Sequence, residues 1–217
     1  MADFLSRRTM MVDTQVRPSD VTKFPIIDAM LTIPREEFVP AAQREAAYLG
    51  ENLPIGGHRV ILEPRTLAKM LDALDVSVDE LVLDVGSALG YSAAVIARMA
   101  EAVVAVEEDE ALASEAQEAL SAAGVDNVIL HVAPLAEGAA QHGPYDVMLV
   151  QGGVVEFPQT LADQLNEGGR VACIFMVGAL GEVRIGRKQN GKISWRMAFN
   201  AGAPVLPGFE KAAAFQF

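Results

Sequence analysis

Five short apolar runs, separated by stretches of helix length, constrain this chain more than any other feature. They are Leu81–Val85, Val103–Val106, Val128–Val132, Asp146–Val150 and Val171–Val177. Their apolar character is nearly continuous rather than alternating. Runs of that kind read as strands buried on both faces, so they predict a mostly parallel sheet with helices above and below, an α/β fold. Helices are predicted between them, from Tyr91 to Met99, over 109–122 with Gly124 as the stop, and over 157–165. Beyond the fifth run, Gly181–Gly186 and Lys192–Phe199 flank Gln189-Asn190-Gly191. An Asn-Gly pair between two such segments predicts an antiparallel hairpin at the end of the sheet.

The first third of the chain reads differently. To about Tyr48 it is helical in two pieces, with Phe24, Ile27, Ala29, Met30, Leu31 and Ile33 on one apolar face and Pro34 closing the segment. Gln43 to Ala47 adds a further helical turn, 50–57 reads as a loop, and Arg59 to Leu62 as a short extended piece. Pro64 suits the first turn of a helix running to about Leu74, which would bury Leu67, Met70, Leu71 and Leu74. With 217 residues and no linker, one domain is expected, 1–64 forming an N-terminal region and 65–217 the α/β core.

Composition excludes several classes of function. A single cysteine, Cys173, rules out an internal disulfide framework, and its apolar run marks it as inert core. His58, His131 and His142 lie far apart with no H-E-x-x-H pairing, so no metal site is expected. The net charge is -12, and no Lys or Arg occurs between Met99 and Gly169. Residues 170–217 carry seven basic groups and two acidic ones, +5, which leaves -17 on residues 1–169. Such a surface repels phosphate backbones, so no nucleic-acid partner is expected. The basic C-terminal section reads as an ordinary solvated face, the alternative being a surface that docks an acidic partner. No stretch of 18 apolar residues occurs, and the first residues lack a signal peptide's apolar run. A cytoplasmic protein with no membrane association is the expectation, a monomer being slightly favoured.

Chemistry is concentrated in Leu83-Asp84-Val85-Gly86-Ser87-Ala88-Leu89-Gly90-Tyr91, between the first run and its helix. A tight turn there lets backbone N–H groups and a helix N-terminus approach a polar ligand. The spacing of Gly86 and Gly90 is not the G-x-G-x-x-G dinucleotide fingerprint. Asp84 can accept a hydrogen bond from an ammonium group or a backbone amide. Twenty-one residues after Gly86, at the end of the second run, stands Glu107. A carboxylate there can accept both hydroxyls of a ribose, so turn and acid together suggest an adenosine-containing cofactor. The alternative is purely structural. Gly86 and Gly90 would then only shape the turn, and Glu107 would head an acidic helix start, where acids are favoured anyway.

These residues, with Asp84 before the turn and Glu107 after it, resemble the S-adenosyl-L-methionine loop of Rossmann-like, seven-strand methyltransferases. Met11–Pro18, Ile33–Pro40, Leu53-Pro54-Ile55-Gly56, Tyr145-Asp146 and Leu165–Arg170 extend the resemblance to one family, the protein-L-isoaspartate O-methyltransferases, over roughly residues 10–190. The resemblance implies methyl transfer from S-adenosyl-L-methionine to the free carboxylate of isoaspartyl residues in damaged peptides and proteins. It implies cofactor contacts at Asp84, Gly86, Ser87, Ala88, Gly90, Tyr91, Glu107, Ala133 and Pro134. The carboxylate would be the nucleophile, and the enzyme's task would be to hold three reacting atoms in line.

The departures from the family pattern are local. The substrate segment, similar to T-I-S-Q-P in the family, reads Val60-Ile61-Leu62-Glu63-Pro64 here. Leu62 stands at the serine position and cannot donate a hydrogen bond, and the charge of Glu63 opposes an anionic substrate. Arg59 and His58 are the residues placed to supply the lost donor character. Ala88 replaces a middle glycine, and Ala133-Pro134 stand where the family has Gly-Asp. A second reading therefore stays open, a non-catalytic or altered-specificity relative that acts as a protein-binding module. Outside the loop, Arg17 is expected to bridge the N-terminal helices or touch substrate, Trp195 and Phe199 to pack, Tyr91 to line the cofactor's methionine end or pack its helix, and Asp146 to anchor nearby backbone.

Overall fold

The computed structural model describes residues 3–211. Among these residues, nine strands and six α-helices follow one another in chain order. Helix α1 (Phe4–Met11) continues through a π turn over Val12–Val16, and α2 (Phe24–Thr32) follows. The hairpin β1 (Leu53–Gly56) and β2 (Arg59–Ile61) precedes α3 (Pro64–Leu74). Then come β3 (Leu81–Val85), α4 (Tyr91–Ala97), β4 (Ala102–Glu107), α5 (Glu110–Ala122), β5 (Val128–Val132), β6 (Tyr145–Val154), α6 (Gln159–Gln164), β7 (Leu165–Val177), β8 (Leu180–Gln189) and β9 (Lys192–Asn200).

Strands β3 to β9 form one seven-stranded sheet in the order β5-β4-β3-β6-β7-β8-β9. The pairs from β5 to β7 are parallel, and β7–β8 and β8–β9 are antiparallel. This is the mixed sheet with a terminal hairpin that the apolar runs and the Asn-Gly turn predict. Asn190 and Gly191 both take positive φ, 52° and 74°, the conformation that a tight turn between twisted strands requires.

Continuous apolar runs in β3, β4 and β6 arise because both faces of these strands are covered, whereas β5 departs from that expectation: it is the edge of the sheet, and Ile129 and Val132 are exposed. Val82, Val103, Ala105, Leu149 and Ala172 belong to the core cluster under α3, α4 and the N-terminal helices. Leu83, Val85, Val104, Val106, Val150 and Cys173 face the opposite cluster, closed by Leu135, Leu161 and Phe209. Successive side chains alternate between faces. The sheet order reverses at β3, with β4 on one side and β6 on the other. In open parallel sheets, ligands bind beyond the carboxyl ends of the strands at such a reversal.

Two local expectations need correction. Residues 50–57 do not form an open loop throughout, because Leu53–Gly56 pairs with Arg59–Ile61 across a turn in which Gly56, Gly57 and His58 all have positive φ. Nor do Gln43–Ala47 extend an α-helix: a 3-10 segment spans Ala41–Ala46.

Candidate functional site

Strand register builds the site. Val85 pairs with Val106, so the next residues, Gly86 and Glu107, emerge side by side at the carboxyl edge. The N–H groups of Gly86 and Ser87 both donate to the Val106 carbonyl, at 2.9 and 3.2 Å, and pin the turn against β4. Gly86, Ala88 and Gly90 have φ of 77°, 52° and 88°. Only the alanine carries a Cβ into the left-handed region, a conformation that disfavours L side chains.

Glu107 is completely buried. Its Oε2 accepts from the Ala88 N–H at 2.8 Å, so loop and acid do face each other. The carboxylate is nevertheless fully engaged by the chain. Both terminal nitrogens of Arg59 donate to it, one to each oxygen, the Nη2–Oε2 distance being 2.8 Å. The N–H groups of Glu108 and Asp109 add bonds of 3.0 and 3.1 Å to Oε1. Five donors saturate a group that offers about four lone-pair directions.

Three segments meet on the open face of Gly86. A Cβ built there would lie 3.3 Å from Arg59 Nη2, 3.4 Å from Leu206 Cδ1 and 3.7 Å from Leu135 Cδ1. Leu135 follows Ala133-Pro134 in a 3-10 turn. Leu206 arrives on the segment after β9, which docks along β6 through bonds from Gly153 N–H to the Pro204 carbonyl and from Leu206 N–H to the Gly153 carbonyl, at 2.8 and 2.9 Å. Beside the loop remains a cavity of about 10 Å³, lined among others by Val60, Leu62, Ser87, Tyr91 and Gln151. That is room for about one water, whereas small-molecule sites run to roughly 300–1,000 Å³. S-adenosyl-L-methionine does not fit this arrangement: its ribose acceptor is consumed and its volume is filled.

At the other end of the loop, Asp84 is buried and accepts from Ser92 Oγ at 2.6 Å and from Gln151 Nε2 at 2.8 Å. Burial pushes its pKa up to about 6, against the pull of these two donors. Ser87 Oγ, Tyr91 Oη and Arg59 Nε are buried without hydrogen-bond partners among the described residues.

The other predicted residues fall as follows. Arg59 does not serve the substrate segment, because its guanidinium turns inward to Glu107. His58 is exposed at the hairpin turn, where φ is 58°. Leu62 is 1% exposed and belongs to the core, and its carbonyl accepts from Arg35 Nη2 at 2.9 Å. Glu63 accepts from Thr66 Oγ1 at 2.7 Å while its N–H donates to Asn52. The Ala133 N–H donates to the Glu107 carbonyl at 3.2 Å, and Pro134 is exposed. Tyr91 packs under the Arg35 guanidinium, 4.7 Å from its ring. Arg17 pairs with Asp13 one turn earlier, Trp195 packs against Phe157 and Phe175, and Asp146 accepts from the Leu81 N–H. No cluster of three or more metal-ligating side chains occurs among the described residues.

Sequence reasoning missed the roles of Gln151 and Leu206 and the inward turn of Arg59. One signal was available: Gly152-Gly153 inside an apolar run marks close approach by another backbone. A Cβ on Gly152 would lie 2.6 Å from Leu206, and one on Gly153 would lie 2.7 Å from the Ala203 carbonyl oxygen.

The family model for protein-L-isoaspartate(D-aspartate) O-methyltransferase matches residues 7–200. The chain belongs to that family. A Koribacter versatilis protein-L-isoaspartate O-methyltransferase is 36% identical over 193 residues, 89% of this chain and 87% of the relative. A Rhodopseudomonas palustris relative of the same name is 38% identical over 176 residues, 81% and 71% of the two chains. Among solved structures, one protein-L-isoaspartate O-methyltransferase superposes with a TM-score of 0.80 at 26% identity, covering 93% of this chain and 66% of that one. A Plasmodium falciparum chain given the same family name, solved in complex with S-adenosyl-L-homocysteine, has a TM-score of 0.79 at 20% identity and covers 95% and 99%. These likenesses establish the methyltransferase fold of this family member.

Proposed function

We propose that this chain transfers a methyl group to isoaspartyl carboxylates of polypeptides, the activity for which its relatives are named. Family membership over residues 7–200 supports methyltransferase activity in general. The observation that carries the reading to this site is the Ala88 N–H on Glu107 at 2.8 Å, since it sets a carboxylate beside the turn at the strand-order reversal. The reading demands a conformation in which Arg59 leaves Glu107 and Leu206 leaves Gly86, because the arrangement described above excludes the cofactor. The test is methyl transfer from S-adenosyl-L-methionine to an isoaspartyl peptide and to its aspartyl twin. Transfer to the first alone is expected, and transfer to neither removes the reading.

Two observations favour a second reading. The buried Arg59–Glu107 pair and the core position of Leu62 suit a non-catalytic relative that binds polypeptide without cofactor. Capture of an isoaspartyl peptide without methyl transfer would support it.

A further inference from the structure

Arg59, Leu206 and Leu135 belong to three segments far apart in the chain, yet all converge on Gly86. Two of them stand outside the strand ladder of the main sheet. Arg59 sits on the two-stranded hairpin β1–β2, which forms a sheet separate from the main one. Leu206 sits on a segment joined to the end of β6 by a few backbone bonds and one isolated parallel bridge, Gly153–Val205. The Gly152-Gly153 pair lets this segment lie against the strand, since a Cβ at either position would collide with it.

The arrangement is tightly packed but incompletely satisfied. Leu206 is 2% exposed and Phe209 is fully buried. Beside the glycine loop they close, Arg59 Nε and Ser87 Oγ are buried without hydrogen-bond partners among the described residues. Buried polar groups in a purely structural core are nearly always paired. Two unmet donors at one loop indicate a site that can exchange its present occupant for one with more acceptors.

We propose that Arg59 and Leu206 form an intramolecular stopper: the chain's own hairpin and C-terminal segment occupy the adenosine half of the cleft, and a ribose competes with the Arg59 guanidinium for Glu107. The inference rests on the methyl-transfer reading, because it takes the opened cleft to accept an adenosine cofactor. The guanidinium supplies two parallel donors to the carboxylate where a ribose would supply two hydroxyls. Apparent affinity is then the open form's affinity multiplied by the fraction of molecules that are open.

The test is titration calorimetry of the full chain with S-adenosyl-L-homocysteine, for the wild type, Arg59→Gln and Leu206→Ala. Gln keeps a donor toward Glu107 without the charge, and Leu206→Ala widens the mouth with the ion pair intact. Circular dichroism establishes that each is folded, and Leu206→Ala decides the matter if Arg59→Gln is not. The expected result is weak wild-type binding and a gain of roughly tenfold or more in a folded variant, as a mostly closed equilibrium requires. Wild-type binding that neither variant strengthens overturns the stopper and leaves the cofactor reading standing. No binding by any folded protein at about 1 mM, a free energy of roughly -4 kcal/mol, overturns both.

Discussion

The guanidinium of Arg59 and the carboxylate of Glu107 lie face to face, two nitrogens on two oxygens, with 7% and 0% of their side chains exposed. They come from positions 48 residues apart. Removing one partner strands a buried charge, which typically costs about 3–5 kcal/mol. Arg59→Ala is therefore expected to lose about that much in urea denaturation. Adding Glu107→Gln to it should recover more than half, because the stranded charge is gone. A double change as damaging as the sum of the singles would contradict this coupling.

Asp84 makes stability fall with rising pH. Its folded pKa of about 6 lies above the ordinary value of 3.8. Between those pH values the folded chain holds a proton that the unfolded chain has released. The penalty is absent below about pH 4 and complete above about pH 6, and a shift of two units corresponds to about 3 kcal/mol. Asp84→Asn is expected to stabilise at pH 7.5 by up to that amount, and the gain should vanish at pH 4. Denaturation midpoints at the two pH values check it, and equal gains at both would refute it.

Arg170 closes the C-terminus of α3. It donates to the carbonyls of Leu74 at 2.6 Å and Asp75 at 2.9 Å, and to both oxygens of Glu80 at 2.7 and 2.8 Å. Asp75 takes the left-handed conformation there, with φ of 54°. Arg170→Ala should cost about 2–3 kcal/mol, the scale of charge-assisted bonds left unmade. Arg170→Lys should restore less than half, since an ammonium cannot span carboxylate and carbonyls together. Chemical denaturation of both variants measures the difference.

Leu62→Ser would recreate the family's residue in a site packed for leucine. Truncating a buried leucine costs about 2–5 kcal/mol, and an unpartnered hydroxyl adds to it. The variant is expected to lose stability in that range without gaining methyl transfer to an isoaspartyl peptide. Activity rising at unchanged stability would place the segment in substrate recognition instead.

The parallel sheet, its helices and the terminal hairpin were readable from particular residues. Val103 to Val106 could be apolar throughout only with both faces covered, and Asn190-Gly191 could serve only as a tight turn. Gly86 and Glu107 were readable as neighbours too, because each follows the last paired residue of adjacent parallel strands. What Glu107 binds was not readable. Arg59 looked equally able to face a substrate, and nothing between residues 59 and 107 marks them as partners.

The sequence by itself determined most of the elements, the mostly parallel sheet with its terminal hairpin, and the placement of loop and acid at one edge of that sheet. Those follow from local hydrophobic periodicity and turn chemistry, which act over a few residues. Only the tertiary structure decided that the cleft is filled. That outcome depends on three side chains, Arg59, Leu135 and Leu206, delivered to Gly86 by separate segments. A buried carboxylate takes whichever donors the folded chain brings within reach, and no local pattern encodes their arrival.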